Sequence, residues 1–206
     1  MLRAGCDLRN ARSALILLHG RGAGADDMLA LAQVFTLPAD MSILAPQANG
    51  YVWYPQRFIA PLSHNEPYLS SALQRVSEVV NLAMEHGLPP ERILLGGFSQ
   101  GACLAAEYVI RSERRWGGLF VFSGGFIGEM GIPRTTNSSL ENSLGHMPVF
   151  VGCSDIDPHI PLSRVEETAL LLESMGAVVT KRIYPGMGHT INADEIKLTQ
   201  QIILSL

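Results

Sequence analysis

Short apolar runs alternate along the chain with longer segments of helical periodicity. Most of the runs are almost continuously apolar, as is typical of parallel strands that are covered on both faces. The strands are predicted at residues 14–18, 42–45, 92–96, 118–123, 148–152 and 178–184. Helices are predicted between them, at residues 26–35, 66–86, 100–111, 161–175 and 193–204. The second of these shows a regular apolar stripe along one helical face.

This alternation predicts one domain over residues 1–206 with a three-layer α/β fold. The sheet would be mostly parallel with right-handed crossovers, and ligands would bind at the carboxyl ends of its strands. A chain of this length leaves no room for a separate lid domain, so an open, shallow pocket is expected.

Two long loops interrupt the rhythm, at residues 46–67 and 123–147. Long loops in a compact domain usually carry function. Because they lie near the strand ends, Trp53, Phe126 and Ile127 are predicted to line a substrate pocket. The polar segment 133–142 is predicted to be a mobile surface excursion without chemistry.

The most informative motif is Gly97-Phe98-Ser99-Gln100-Gly101, which lies between a predicted strand and a predicted helix. A strand–turn–helix with serine at its apex holds the hydroxyl in a strained backbone conformation, exposed to a carbonyl substrate. The backbone N–H of Gln100 opens the helix and would point towards a developing oxyanion. Ser99 is therefore the candidate nucleophile.

A nucleophilic serine needs a base, and the base needs an acid that fixes its tautomer. In a parallel sheet these groups follow strands downstream of the serine. His189 follows the last predicted strand, and Asp155 and Asp157 both follow the strand before it. The order serine, aspartate, histidine is that of α/β-hydrolases. At this point both aspartates stay open as the acid.

Charge and cysteine content narrow the classes of partner. The net charge is −4 and no basic run occurs, which argues against nucleic acid and anionic membranes. No apolar stretch is long enough to suggest stable membrane insertion. Three cysteines without framework spacing suggest a reducing compartment, so the expected location is cytoplasmic. No cofactor and no metal are expected, and a homodimer is left open.

In combination, several motifs resemble the phospholipase/carboxylesterase family of α/β-hydrolases, which includes acyl-protein thioesterases and small carboxylesterases. The resemblance covers residues 14–205 and rests on Leu-His-Gly-Arg-Gly-Ala-Gly at 18–24, Ala-Pro-Gln-Ala-Asn-Gly at 45–50 with Trp53, the serine motif at 97–101, Asp-Pro-His-Ile-Pro at 157–161 and Tyr-Pro-Gly-Met-Gly-His at 184–189. It implies an α/β-hydrolase fold without a cap domain. Because few residues precede the first clear strand, a sheet of six to seven strands is expected.

The resemblance also implies roles for individual residues. It implies a catalytic triad of Ser99, His189 and Asp157, since Asp157 and not Asp155 fits the family's Asp-x-x-Ile-Pro pattern. It implies that the N–H of Arg21 joins that of Gln100 in an oxyanion hole, with His19 structural. The expected substrate is a small-molecule ester or acyl compound. Two alternatives stay open, a hydrolase-fold receptor or binding module with negligible turnover and a lactone or dienelactone hydrolase.

Overall fold

The computed structural model describes residues 1–132, 134 and 142–206. Most of the segment 133–142, predicted from sequence to be a surface excursion, lies outside the described residues. A seven-stranded sheet forms the centre of the fold. Its strands are β1 (Leu2–Gly5), β2 (Ser13–Leu18), β3 (Met41–Ala45), β4 (Ile93–Phe98), β5 (Gly118–Phe122), β6 (Pro148–Ser154) and β7 (Val178–Tyr184). The helices are α1 (Ala25–Ala32), α2 (Tyr68–Glu85), α3 (Gln100–Ser112), α4 (Leu162–Ser174) and α5 (Ala193–Leu204).

The strand order is β1-β3-β2-β4-β5-β6-β7, and every neighbouring pair except β1 and β3 is parallel. The strand count of seven confirms the upper end of the expected range. The first strand, β1, is antiparallel to β3 and pairs Leu2 with Ala45 and Gly5 with Ser42. It was missing from the predicted strands because all four of its residues are exposed, so no buried apolar pattern marks it.

Helices cover both faces of the sheet, as the apolar strands predicted. Along β2, Ala14, Ile16 and Leu18 face the core beneath α2, α3 and α4. The alternate residues Leu15 and Leu17 face the second core, beneath α1 and α5. Side chains of a strand point alternately to opposite faces, so a strand buried on both sides must be apolar at nearly every position.

The predicted helices and central strands are confirmed, with ends that differ by a few residues. The largest difference is at α1, which begins at Ala25 and ends at Ala32. Gly24 is the N-cap residue, and the carboxylate of Asp27 accepts a hydrogen bond from the Gly24 N–H at 2.7 Å. An acidic side chain at this position also complements the helix dipole.

The turn between β4 and α3 brings a helix against the ends of two strands. A Cβ atom at Gly97 would lie 2.6 Å from the backbone of Gly101 and from the Leu18 carbonyl oxygen. One at Gly101 would overlap the carbonyl groups of Leu18 and His19. Between the two glycines, Ser99 has φ 55° and ψ −119°, a strained conformation for a residue with a side chain. Its N–H donates to the Phe122 carbonyl oxygen at 3.0 Å, which helps to hold the turn.

A buried carboxyl group lies at the start of α5. Asn192 caps the helix, and the Glu195 Oε2 atom accepts a hydrogen bond from the Asn192 N–H at 2.8 Å. The other oxygen, Oε1, has no hydrogen-bond partner among the described residues and lies against Gly152. Burial raises the pKa of Glu195 to about 7, and the neighbouring Asp194 carboxylate adds to this against the opposing effect of the Asn192 N–H.

We predict that Gly101→Ala destabilises the protein by about 2 kcal/mol or more, because the new methyl group overlaps fixed backbone atoms. At an open helical position the same change would be stabilising by about 1 kcal/mol. Denaturant unfolding of the two proteins checks this. A variant as stable as the wild type would contradict the close approach of α3 to β2.

We predict that Glu195→Gln removes a pH dependence of stability. Its folded pKa is raised from 4.5 to about 7, so the folded state holds a proton that the unfolded chain releases, and stability falls as pH rises between these values. Glutamine keeps an oxygen for the Asn192 N–H and carries no charge. Melting temperatures should therefore diverge in favour of the variant between about pH 5 and pH 8. The matched control is Glu173→Gln, because Glu173 is exposed. If the melting temperatures of Glu195→Gln and the wild type differed by the same amount at about pH 5 and about pH 8, the burial argument would be contradicted.

Candidate active site

The carboxyl ends of three parallel strands carry the candidate catalytic side chains. Ser99 follows β4, Asp157 follows β6 and His189 follows β7. Ser99 and His189 line one cavity of about 430 Å³. The His189 ring packs against Phe98, the residue before the serine, with ring centres 4.7 Å apart. The tertiary structure thus brings together at one edge of the sheet residues that are far apart in sequence.

Asp157 and His189 form a direct pair. Oδ2 of Asp157 lies 2.7 Å from Nδ1 of His189. The other carboxylate oxygen accepts hydrogen bonds from the N–H groups of His159 at 2.8 Å and Ile160 at 3.1 Å. The aspartate side chain is fully buried, whereas that of the histidine is 18% exposed. This arrangement fixes the ring orientation, with the proton on Nδ1 assigned from the carboxylate acceptor and Nε2 on the opposite side of the ring.

The electrostatics of the pair favour a charged aspartate. Burial by itself would raise the pKa of Asp157. The hydrogen bond and charge of His189 and the two backbone N–H groups outweigh it, so the pKa of Asp157 is lowered below its usual value. A carboxylate that stays ionised beside an imidazole can stabilise the imidazolium when the ring takes up a proton.

Asp155, the competing aspartate, has a different position. It is exposed, and its Oδ1 atom accepts a hydrogen bond from the Gly186 N–H at 2.8 Å. The hydroxyl of Ser154 similarly accepts from the Gly188 N–H at 3.1 Å. Both side chains therefore fix the loop that leads from β7 to His189. Within the described residues, Asp155 makes no hydrogen bond to the histidine ring.

Two residues that line the cavity have a backbone N–H group without an acceptor in the described part of the chain. Arg21 and Gln100 both line it, and among the described residues neither backbone N–H donates to another protein group. The loop that carries Arg21 is anchored by the buried His19. Nδ1 of His19 lies 2.7 Å from the Gly20 carbonyl oxygen, and its Nε2 accepts from the Ala48 N–H at 3.0 Å. Burial lowers the pKa of His19, which favours the neutral ring that these contacts require.

The three predicted pocket residues, Trp53, Phe126 and Ile127, are largely buried, and none of them lines the cavity at Ser99. Trp53 lines a second cavity, which shares Tyr54 and Pro55 with the first, and Phe126 lines another beside α4. The indole N–H of Trp53 donates to the His19 carbonyl oxygen at 2.9 Å. The Arg164 guanidinium stacks over the Phe126 ring at 4.1 Å. Large apolar rings turn into the core when they can, and a position near a strand end does not reveal that direction.

The cavity wall is formed instead by the segment from Tyr54 to Phe58, which polar side chains hold in place. The Gln100 side chain accepts from the Trp53 N–H at 3.0 Å and donates to the Tyr54 carbonyl oxygen at 2.8 Å. The Arg21 guanidinium also donates to the Tyr54 carbonyl oxygen, at 2.8 Å. Sequence reasoning missed these two side-chain roles because no pattern links positions so far apart in the chain.

Cys103 also lines the cavity, but its chemistry differs from that of the serine. Burial raises the pKa of Cys103 to about 12. Burial also raises the pKa of Cys153, next to Asp157, to about 12. A thiol is a good nucleophile only as the thiolate, so both cysteines are unreactive near neutral pH.

The described residues contain neither a cluster of potential metal ligands nor a helix suited to crossing a membrane. No group of three or more histidine, cysteine, aspartate or glutamate side chains is arranged to hold a metal ion in this part of the chain. Likewise, none of its helices combines the length and the apolar character needed to cross a bilayer.

Known proteins resemble this chain over nearly its whole length. The family model described as Phospholipase/Carboxylesterase matches residues 5–205. Acyl-protein thioesterase 1 of Saccharomyces cerevisiae is 26% identical over 219 residues, which cover 95% of this chain and 93% of the relative. The alignments with acyl-protein thioesterase 1 of Kluyveromyces lactis and of Gibberella zeae, at 30% and 29% identity, cover 63% and 57% of this chain but only 56% and 49% of those relatives.

Solved structures agree with the sequence relatives. The crystal structure of a phospholipase/carboxylesterase from Dyadobacter fermentans superposes with a TM-score of 0.91 at 42% identity, covering 98% of this chain and 95% of that one. Esterase PE8 superposes with a TM-score of 0.77 at 25% identity, covering 99% and 97%. Since the family model spans almost the entire described fold, the chain belongs to the phospholipase/carboxylesterase family of carboxylic ester hydrolases.

Proposed function

We propose that the protein is a serine hydrolase that cleaves carboxylic esters or thioesters through an acyl-enzyme on Ser99. The observation that carries this proposal is the 2.7 Å contact between Asp157 and His189, whose ring lines the same cavity as Ser99. A histidine held in this way can accept a proton at Nε2, the role that a serine nucleophile requires. The similarity to an acyl-protein thioesterase and to an esterase supports the same chemistry.

In the first step, Ser99 Oγ attacks the acyl carbon and its proton passes to Nε2 of His189. The carbonyl π electrons move onto the oxygen and give a tetrahedral oxyanion. When that intermediate collapses, the bond from carbon to the leaving oxygen or sulfur breaks. The leaving group takes the proton from Nε2, and the acyl group stays on Ser99 as an ester. Asp157 stabilises the imidazolium between these two transfers.

The N–H groups of Gln100 and Arg21 would hold the oxyanion. Neither donates to another group in the described chain, so both are available to a ligand in the cavity. Gln100 is also the first residue of α3, where the helix dipole favours negative charge. Donors that are already in position when charge develops commonly make the largest single contribution to catalysis of this kind.

In the second step, water hydrolyses the acyl-enzyme. His189 Nε2 takes a proton from the water as its oxygen attacks the acyl carbon. The bond between that carbon and Ser99 Oγ then breaks, and the serine recovers its proton from the histidine. The carboxylic acid leaves, and the enzyme returns to its starting protonation state.

A cavity of about 430 Å³ beside the half-buried Ser99 suits small acyl groups or acyl chains that extend into solvent. A panel of 4-nitrophenyl esters from acetate to palmitate would define the chain length. Measurable turnover on this panel separates the proposal from a binding module, and a ring-opening assay separates it from a lactone hydrolase.

We also propose a cytoplasmic location, because Cys6, Cys103 and Cys153 are all unpaired. A homodimer remains an expectation that analytical ultracentrifugation can decide.

We predict that Ser99→Ala lowers ester hydrolysis by about 10⁴-fold or more while the protein stays folded. The reason is that the substitution removes the nucleophile without changing the backbone around it. A fluorophosphonate adduct, located by mass spectrometry, should lie on Ser99 and not on Cys103. Retention of a tenth of the wild-type rate, with an unchanged melting temperature, would disprove the assignment.

We predict that Asp157→Asn lowers kcat by about 10²–10⁴-fold. The N–H groups of His159 and Ile160 would hold the asparagine oxygen, which turns its NH₂ group towards His189 and favours the wrong tautomer. The matched control is Asp155→Asn, which keeps an acceptor for the Gly186 N–H and should cost less than about tenfold. If Asp155→Asn were the crippled variant, the acid would be misassigned.

A further inference from the structure

The cavity at Ser99 has a charge opposite to that of the whole chain. The protein carries 19 acidic and 15 basic residues. Nevertheless, no aspartate or glutamate of the described residues lines the cavity, whereas Arg21 and Arg57 both do. The buried carboxylate of Asp157 is paired with His189. A cavity lined by one sign of charge concentrates ligands of the opposite sign.

Arg57 is the residue in this wall with the most unused binding capacity. Among the described residues, its guanidinium makes one hydrogen bond, which Nη2 donates to the His159 carbonyl oxygen at 3.2 Å. No carboxylate lies within ion-pair distance in the described chain. A guanidinium has five N–H donors in a planar fork, so four of them remain for a ligand. The contact also places Arg57 beside the loop that carries the catalytic aspartate.

The backbone at Arg57 is held firmly before any ligand arrives. The buried side chain of Asn65 accepts from the Gln56 N–H at 2.8 Å and donates to the Arg57 carbonyl oxygen at 3.1 Å. Arg21 donates to the Gln56 carbonyl oxygen at 3.0 Å from the other side. A side chain mounted on such a fixed segment loses less freedom on binding than one on an open loop.

Arg21 adds a second positive charge to the same wall. Its Nη2 atom donates to the carbonyl oxygens of Tyr54 and Gln56, neither of which neutralises it. His159 packs edge-on against His189, with ring centres 4.8 Å apart. Arginine forks match the paired oxygens of carboxylate and phosphate groups, which makes anionic oxygen groups the natural ligands of this wall.

We propose that this site prefers esters or thioesters that carry an anionic oxygen group, carboxylate or phosphate, and that Arg57 binds that group. The inference rests on the proposed function and names the substrate class of the same site. The anionic group would lie at the mouth of the cavity against the guanidinium, while the scissile carbonyl reaches Ser99. Arg57 is exposed, so solvent screens its charge and we expect a preference of no more than about tenfold, which corresponds to ~1.4 kcal/mol.

The test compares two substrates that differ in one charge, the mono-4-nitrophenyl ester of adipic acid and its neutral methyl ester. Release of 4-nitrophenol gives kcat/KM for each. In the wild type the anionic substrate should have the higher value by about tenfold, and salt should reduce this ratio. In Arg57→Gln the ratio should fall to about one, and Arg57→Lys should restore part of it. A role of Arg57 limited to packing against His159 would leave both the ratio and its salt dependence unchanged.

The matched control is Arg12→Gln. It changes the net charge equally, but Arg12 lies just before β2, at the opposite end of the sheet, and does not line the cavity. The control should keep the wild-type ratio. Equal kcat/KM for the two esters, or a preference that survives in Arg57→Gln, would overturn the inference while leaving the esterase proposal intact.

If neither ester is hydrolysed, the esterase proposal is overturned, but a binding measurement still decides the inference about Arg57. Calorimetric titration of Ser99→Ala with monomethyl adipate and with dimethyl adipate should detect tighter binding of the anion, lost on addition of Arg57→Gln. Equal binding would overturn the inference.

A second pair of substrates, octanoylglycerol 3-phosphate and octanoylglycerol, distinguishes a phosphate source of the anionic group from a carboxylate source. The kcat/KM ratio of the anionic to the neutral substrate should be larger in this pair than in the adipate pair if the site accepts phosphate, and smaller if it accepts carboxylate.

Discussion

The site depends on one close contact, the approach of the first turn of α3 to the ends of β2 and β4. Gly97 and Gly101 are the positions at which a side chain would meet backbone atoms. Because the helix lies so near the sheet, the connecting turn must be sharp, and Ser99 takes up a strained conformation with a positive φ. The same contact places the start of α3 beside the loop that follows β2. The position of the serine, and of the Arg21 and Gln100 N–H groups that have no acceptor among the described residues, thus depends on a single packing constraint.

Around that turn, the cavity is built from irregular loops that side chains tie together. Gln100 and Arg21 hold the wall segment through its carbonyl oxygens, and Asn65 holds it from the other side. Asp155 and Ser154 hold the loop that carries His189. These hydrogen bonds satisfy backbone groups of the loops, and they hold the proposed catalytic groups in place without a ligand.

The pKa values of two buried carboxyl groups, Asp157 and Glu195, are shifted in opposite directions. The buried carboxylate of Asp157 stays ionised because His189 and two backbone N–H groups stabilise its charge. Burial raises the pKa of Glu195 to about 7, since among the described residues its carboxyl accepts from the Asn192 N–H alone and the Asp194 carboxylate lies nearby. Burial acts in the same direction on both groups, and the hydrogen bonds and charges around each carboxyl decide the direction of the shift.

The sequence by itself determined the layered fold, the central strands and the helices, because nearly continuous apolar runs and a clear helical stripe are local signals. It also gave the serine turn, since the spacing of its glycines reflects a steric requirement that is local as well. It missed β1, whose residues are all exposed. The family resemblance favoured Asp157 over Asp155, and the tertiary structure shows the contact between Asp157 and His189. Only the tertiary structure decided that Trp53, Phe126 and Ile127 are buried in the core and that Arg57 lines the cavity. Each of these depends on the direction of a side chain relative to distant parts of the chain, and that direction is set by packing and hydrogen bonding across loops rather than by neighbours in sequence.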